Sequence, residues 1–483
     1  MNETYMDRIR RVRGLLNEVG KGFCLMKWRT ESLYLHTGDN HSCYHPRPHK
    51  VPLAEIKIDV SALHNTSFKK KVRKEMLEGK QPEECYYCWN IEKLDGEHYS
   101  DRMFHSSSTW LENTEKEIAL IQNAPADANF NPYFLEISFS NNCNFKCGYC
   151  CPQSSTMWMD EIKTHGNYPI TYNQYGIEFL DQGSYFPDEE SNPYVEAFWE
   201  WWPELKKDLK VFRITGGEAL MHPSTFKLLD MLDADPSPEL EIQLNSNMGV
   251  ANSRVQRLST KLAKLLAEKK IKTFRLYTSI DSYGKQAEYM RRGLDCNLWE
   301  QNLDTYLTTL PDMPISFMIT YNVLSVAYFR QLLVKILDLR AKYNVPGSGF
   351  QRITFDTPYL KEPPHWMINI LPVEEFGHYL DSDLKFIADN MSTEPYEIMH
   401  FTEHEFEKFK RVRDYYYQGG ERVTDDLIKR GRHDFWTFFN EYDKRSNSSL
   451  LETFPLYADF RERCRLEYEQ GSKEQYVHLL QRR

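Results

Sequence analysis

The residues in this chain best suited to chemistry are three cysteines in the run SNNCNFKCGYC, where Cys143, Cys147 and Cys150 stand at C-x3-C-x2-C. Three thiolates on one short loop suit an iron–sulfur cube. Soft sulfur ligands are what a 4Fe-4S cluster prefers, and three of them leave one of its irons open to another molecule. Structural zinc usually closes with four ligands, and no histidine follows this run at a useful spacing, so zinc is the poorer reading here. A second thiol set comes earlier, with Cys24, Cys43, and the pair Cys85 and Cys88 in CYYC. Those four would complete a site. Its rival occupant is structural zinc, with His36, His41, His45 and His49 close by in sequence. Cys151 follows a ligand directly and is expected to point elsewhere, while Cys296 and Cys464 read as small core residues.

A loop of this kind needs a scaffold to hold it. From Tyr133 to about Phe355 short β-type runs alternate with longer amphipathic ones, which is the pattern of successive βα units and a parallel sheet. Strands are expected over Tyr133 to Ser140, Val211 to Thr215, Leu240 to Asn245, Thr273 to Ile280, Ile315 to Tyr321 and around Ile353. Helices are expected between them, as over Ser253 to Glu268 and Ala327 to Tyr343, where apolar residues recur at three-to-four spacing. The expected fold is α/β, a partial (β/α)6 TIM-like barrel over residues 126–370. A small Cys-bearing module over 1–125 precedes it and a mostly helical extension over 371–483 follows. The cysteine run directly follows the first strand, and strand carboxyl ends are where such barrels place their chemistry. Pro152 to Pro203 interrupts the first unit and carries Phe198, Trp199, Trp201 and Trp202; it reads as a helix packed by large side chains, with a substrate lid as the alternative.

Composition narrows the function classes. The 483 residues carry 60 Lys and Arg against 70 Asp and Glu, a net charge of −10, which argues against a dedicated nucleic-acid binder. Hydrophobic residues at 41% with a mean hydropathy of −0.64 describe a folded, water-soluble chain. No apolar run approaches the ~20 residues that span a bilayer. The first twenty residues lack a secretory core, so a cytoplasmic location is expected, where thiols stay reduced and free for metals.

Taken together, the motifs resemble the radical S-adenosylmethionine (SAM) superfamily, whose signature is C-x3-C-x-aromatic-C, with Tyr149 in the aromatic slot. RITGGEAL is similar to the family's GGE turn, and the resemblance implies that Gly216, Gly217 and Glu218 receive the methionyl ammonium of SAM. It also implies Asn245 and Asn247 near the ribose, and Ser279 and Asp281 in a Ser-x-Asp motif facing the cofactor. Arg291 or Arg292 would pair with the SAM carboxylate, a task for a planar guanidinium fork. Asn322 is a further polar cap on the fifth strand. The spacing of Cys24, Gly38 and Cys43, with CYYC after a basic helix, resembles the twitch and SPASM modules that hold auxiliary clusters, although such modules normally follow the barrel. TPYLKEPPHWMINILP is similar to the closing barrel segment of twitch-type members.

The resemblance implies an oxidoreductase-type radical enzyme with two 4Fe-4S clusters. One cleaves SAM reductively to a 5′-deoxyadenosyl radical that abstracts hydrogen from a substrate. The expected substrate is a peptide or protein, with small-molecule biosynthesis as the second reading and a non-catalytic iron–sulfur or zinc protein as the third. A flavodoxin- or ferredoxin-like electron donor is the expected partner, with no membrane and no nucleic acid. No residue is singled out as a catalytic base.

Overall fold

The computed structural model describes residues 4–94, 98–111, 113–125, 127–172, 186, 191–344, 350–392, 398–420 and 423–471. Its centre is one nine-stranded sheet. In chain order the strands are β1 (Thr30–Tyr34), β2 (Asp39–His41), β3 (His49–Lys50), β4 (Phe134–Ser138), β6 (Val211–Thr215), β7 (Ser237–Ser246), β8 (Ile271–Ser279), β10 (Ile315–Met318) and β11 (Ile353–Asp356). Two short strands, β5 (Lys146–Cys147) and β9 (Arg291–Arg292), form a separate antiparallel pair. The sheet order is β11-β10-β8-β7-β6-β4-β1-β2-β3. The pairs from β11 across to β1 are parallel, and only the β2 and β3 edge is antiparallel.

All six expected strands are present, with β10 ending at Met318 rather than Tyr321. The strand β1 was not expected. It lies parallel to β4, Thr30 opposite Phe134 and Tyr34 opposite Ser138, so the amino-terminal stretch is hydrogen-bonded into the main sheet.

Strand alternation sorts the sheet into two faces. Leu135, Ile137, Phe212, Ile214, Ile242, Leu244, Phe274 and Leu276 are buried beneath helices. Phe198 and Trp202 of the helix Pro193–Leu205 pack on Phe212 with ring centroids 6.0 and 5.6 Å away. Trp299 of the helix Cys296–Thr309 meets Phe317 at 5.8 Å. The expected aromatic helix is therefore core, and residues 173–185 and 187–190 of the same insertion lie outside the described residues. The opposite face carries Glu136, Arg213, Gln243, Asn245, Arg275 and Tyr277 and is polar.

The amino-terminal helices gather a smaller core of Val12, Leu16, Trp28, Val72, Met76 and Trp89. A fully buried ionic group ties this part to β1: the Glu31 carboxylate accepts from Lys69 and lies 2.5 Å from His64 Nδ1. Beyond residue 371 the chain is helical, as expected, over Val373–Asp389, Glu403–Gln418, Asp425–Ser446 and Ala458–Gln470. Among the described residues no helix is long and apolar enough to cross a membrane.

Candidate functional site

The cysteine loop leaves the end of β4 and is fixed at both flanks. On one side the β5–β9 pair places Cys147 opposite Arg291, and the Gly148 amide donates to the Met290 carbonyl at 2.9 Å. On the other, Ser140 to Asn142 run against the turn after β6. The Gly217 and Glu218 amides donate to the Ser140 and Asn142 carbonyls at 3.1 and 2.8 Å. Both glycines are demanded by this contact. A Cβ on Gly216 would stand 2.6 Å from the Ser140 oxygen, and one on Gly217 would stand 2.4 Å from that of Asn142. Gly216 also holds a φ of +119°, which a side chain disfavours.

Glu218 is buried, and its carboxylate accepts from the Leu220 amide at 3.0 Å, the Ser246 hydroxyl at 2.7 Å and the Asn247 amide at 2.7 Å. It thus joins the ends of β6 and β7. Burial raises its pKa, and the three donors pull it back. Asn247 reaches the cysteine loop, donating to Asn144 Oδ1 at 2.9 Å with its nitrogen 4.0 Å from the Cys143 sulfur. Asn245 instead turns to the polar face and accepts from Arg213 Nε at 3.0 Å.

The structure separates the two arginines. Arg291 is buried and donates to Asp281 through Nε at 2.8 Å and Nη2 at 3.3 Å, with Nη1 3.6 Å from the Cys147 sulfur. Arg292 points away, donating to the Ser446 carbonyl beside the Tyr442 ring. Asp281 also accepts from the Tyr149 hydroxyl and from the Thr320 amide at 2.8 Å. The aromatic slot, the Ser-x-Asp aspartate and the inward arginine therefore form one buried network under Cys147. Ser279 ends β8 at the register position opposite Met318. Asn322 folds back, its side chain donating to the Thr320 carbonyl at 2.9 Å and accepting from the Leu324 amide at 3.0 Å.

The three thiols fit a sulfur-ligated cluster by donor type and by surroundings. Burial pushes Cys143 up to about 12, and burial raises Cys147 while Arg291 pulls it back. Thiols held in this state become thiolates when a metal repays the cost of the charge. Trp366 supplies a further cue that sequence reasoning missed. Its ring lies 2.2 Å from where a Gly148 Cβ would stand, and among the described residues its buried indole N–H has no hydrogen-bond partner. An unpaired donor beside the loop suits an acceptor brought by a bound group. Cys151 turns to the Ser154 hydroxyl, and Cys296 and Cys464 are buried, as expected.

The amino-terminal thiols Cys24, Cys43, Cys85 and Cys88 line one cavity together with Lys27, His45, Trp89, Asp101, Arg102 and His105. Lys27, buried and ion-paired with Glu84, pulls the Cys85 thiol down against burial, which pushes it up to about 12. His45 pairs with Asp101 and stacks on Tyr87 at 3.6 Å, while His41 and His49 are turned to Tyr34 and Thr66. Among the described residues no group of three or more His, Cys, Asp or Glu side chains is placed to hold a metal ion.

No protein-family model matches the chain, and no solved structure matches it. Among curated proteins, GTP 3′,8-cyclase of Sulfurimonas denitrificans, a radical SAM enzyme, is 24% identical over 162 residues. That likeness supports the radical SAM superfamily. The matched stretch is 34% of this chain and 39% of the relative, so the chain spans well under half of that protein. The α/β fold with its parallel strands is consistent with a TIM-like member of the superfamily.

Proposed function

We propose that this chain is a radical SAM enzyme in which Cys143, Cys147 and Cys150 hold a 4Fe-4S cluster and SAM takes the remaining iron. The observation that carries the reading is the convergence of three motifs, far apart in sequence, on the cysteine loop. These are the GGE turn packed beneath Ser140 to Asn142, Asn247 beside Cys143, and the Tyr149–Asp281–Arg291 network under Cys147. When bound, the cluster supplies one electron that splits SAM into methionine and a 5′-deoxyadenosyl radical, which takes hydrogen from the substrate.

The chain's own residues orient and exclude water. Gly216 and Gly217 let the backbone pass close to the loop, and Glu218 fixes the strand ends that frame it. Asp281 holds the Arg291 guanidinium beside Cys147, where its charge stabilises a thiolate. Trp366 and Trp158 wall the loop, Trp158 donating to the Cys147 carbonyl at 2.9 Å. The amino-terminal thiols are proposed to hold a second 4Fe-4S cluster. Four thiols lining one cavity supply the donor type and number that a 4Fe-4S cube takes, one at each iron. The proposed substrate is a peptide or protein and the electron donor flavodoxin- or ferredoxin-like. The name of the GTP cyclase relative favours the second reading, a small-molecule substrate.

The test is anaerobic reconstitution, metal counting, and detection of 5′-deoxyadenosine after dithionite and SAM are added. Two clusters predict roughly eight irons per chain. Cys143→Ala, Cys147→Ala and Cys150→Ala should each abolish nucleoside formation. Cys85→Ala should lower iron while sparing some SAM cleavage. Unchanged nucleoside from the loop variants refutes the catalytic reading, and full iron retention in Cys85→Ala refutes the second cluster.

A further inference from the structure

The polar face of the sheet holds two arginines that the loop chemistry does not use. Arg213 of β6 and Arg275 of β8 flank Gln243 of β7 in one register row, Arg213 opposite Gln243 and Gln243 opposite Arg275. Neighbouring strands lie about 4.8 Å apart, which puts the two backbones about 10 Å from each other. Their positions alternate with Phe212, Ile214, Phe274 and Leu276, all buried beneath helices, so both belong to the polar face.

The Arg213 side chain is 19% exposed. Its Nε donates to Asn245 and lies 3.6 Å from a Glu136 oxygen, and its guanidinium sits over the Tyr277 ring at 4.5 Å. Among the described residues its two terminal nitrogens have no hydrogen-bond partner, and the half-buried Arg275 has neither a hydrogen bond nor an ion pair. The fork is therefore oriented from behind, by an amide, a carboxylate and an aromatic face, and left open in front.

Three acids of this face already have partners. Glu136 accepts from the Tyr44 hydroxyl, Glu241 accepts from Gln243 at 2.6 Å, and Asp356 pairs with Lys408 at 3.1 Å. Tyr44 directly follows the thiol Cys43, so the amino-terminal part supplies one wall. Arg213 lies two residues before the end of β6, about 7 Å below the rim that carries the GGE turn.

We propose that this row binds a planar or tetrahedral oxyanion, a carboxylate or a phosphate, carried by the substrate. It is gripped by the open fork of Arg213 with Arg275 beside it, so that the rest of the substrate rises toward the cysteine loop. This rests on the radical SAM reading of the loop and adds to it the chemical class of the substrate. An open guanidinium fork matches the two-oxygen edge of either group, and the match is stronger in a partly desolvated site.

The test titrates N-acetylglycine and, separately, inorganic phosphate into the reconstituted full chain by calorimetry at low salt. At least one should bind in the millimolar range, the better probe telling a carboxylate-bearing substrate from a phosphorylated one. Arg213→Gln should weaken that binding at least tenfold, and Arg275→Gln severalfold. Arg275 makes no hydrogen bond among the described residues, so its variant keeps the test decisive if Arg213→Gln does not fold. Binding of neither probe at tens of millimolar, or unchanged binding in the variants, overturns the inference. Failure of the same preparation to hold iron or release 5′-deoxyadenosine overturns the catalytic reading instead, whatever the titration gives.

Discussion

Replacing Asp281 by Asn tests the network beneath the cysteine loop directly. The Asp281 side chain is fully buried and accepts from Arg291 Nε and Nη2, from the Tyr149 hydroxyl and from the Thr320 amide. Asparagine keeps the shape but removes the charge and turns one acceptor into a donor, which then faces a donor. Leaving one member of a buried ion pair uncompensated costs about 3–5 kcal/mol, and the Arg291 charge would be left with the Cys147 sulfur and the Tyr149 ring beside it. Urea unfolding of the metal-free chain should therefore show Asp281→Asn destabilised by about 3 kcal/mol or more. The double variant Asp281→Asn with Arg291→Gln removes both charges. It should be less destabilised than the two single variants summed, by at least about 1 kcal/mol. An effect of Asp281→Asn below about 1 kcal/mol, or strict additivity, refutes the claim that these charges hold each other in place. Reconstituted Asp281→Asn should also hold less iron, because Arg291 would no longer be kept beside Cys147.

Two further substitutions probe the frame. Gly217→Ala places a Cβ 2.4 and 2.5 Å from the Asn142 and Asn141 carbonyl oxygens, which are backbone atoms and cannot rotate away. The loop entry must shift, at a cost of about 1–3 kcal/mol, and both melting temperature and reconstituted iron should fall; unchanged values would show that the turn does not buttress the loop. Asp383, on the helix Val373–Asp389, is buried, and burial pushes its carboxyl up to about 7, with Arg330 pulling it back. An acid raised in the folded state adds stability that is complete below its ordinary value of 3.8 and lost as pH rises through about 7. Asp383→Asn should flatten the decline in stability between those two values, and an unaltered slope would remove Asp383 as its source.

Much of the fold was legible because it rests on alternation and helical periodicity. The strands around Val211, Leu240, Thr273 and Ile315 are apolar at every second residue where helices cover them, and this signal survives without knowledge of neighbours. Thr30–Tyr34 was missed because TESLY is polar at its start, and its strand character comes from pairing with Phe134–Ser138. The cysteine loop and the GGE turn stood out by residue type and spacing, and the structure packs the one against the other. The choice between Arg291 and Arg292 was not, since adjacent residues on a two-residue strand differ only in which side the pairing with Lys146 and Cys147 assigns them. Trp366 and Arg213 carried weaker signals. An arginine amid VFRIT could be noticed as a charge inside an apolar strand, but only the register with Gln243 and Arg275 shows what it faces.

The placement of β1 bears on how the two thiol sets relate. Cys24 and Cys43 bracket β1 and β2, while Cys143 follows β4, and β1 is hydrogen-bonded along its length to β4. Neighbouring strands hold a spacing near 4.8 Å, so the segments carrying the two sets are fixed to adjacent rows of one sheet rather than joined by a linker. The buried pairing of Glu31 with Lys69 and the Tyr44 contact to Glu136 reinforce that attachment from opposite faces. The proposed auxiliary site, although it precedes β4 in sequence, is therefore anchored to the parallel strands, because the sheet accepts an added parallel strand at its β4 edge.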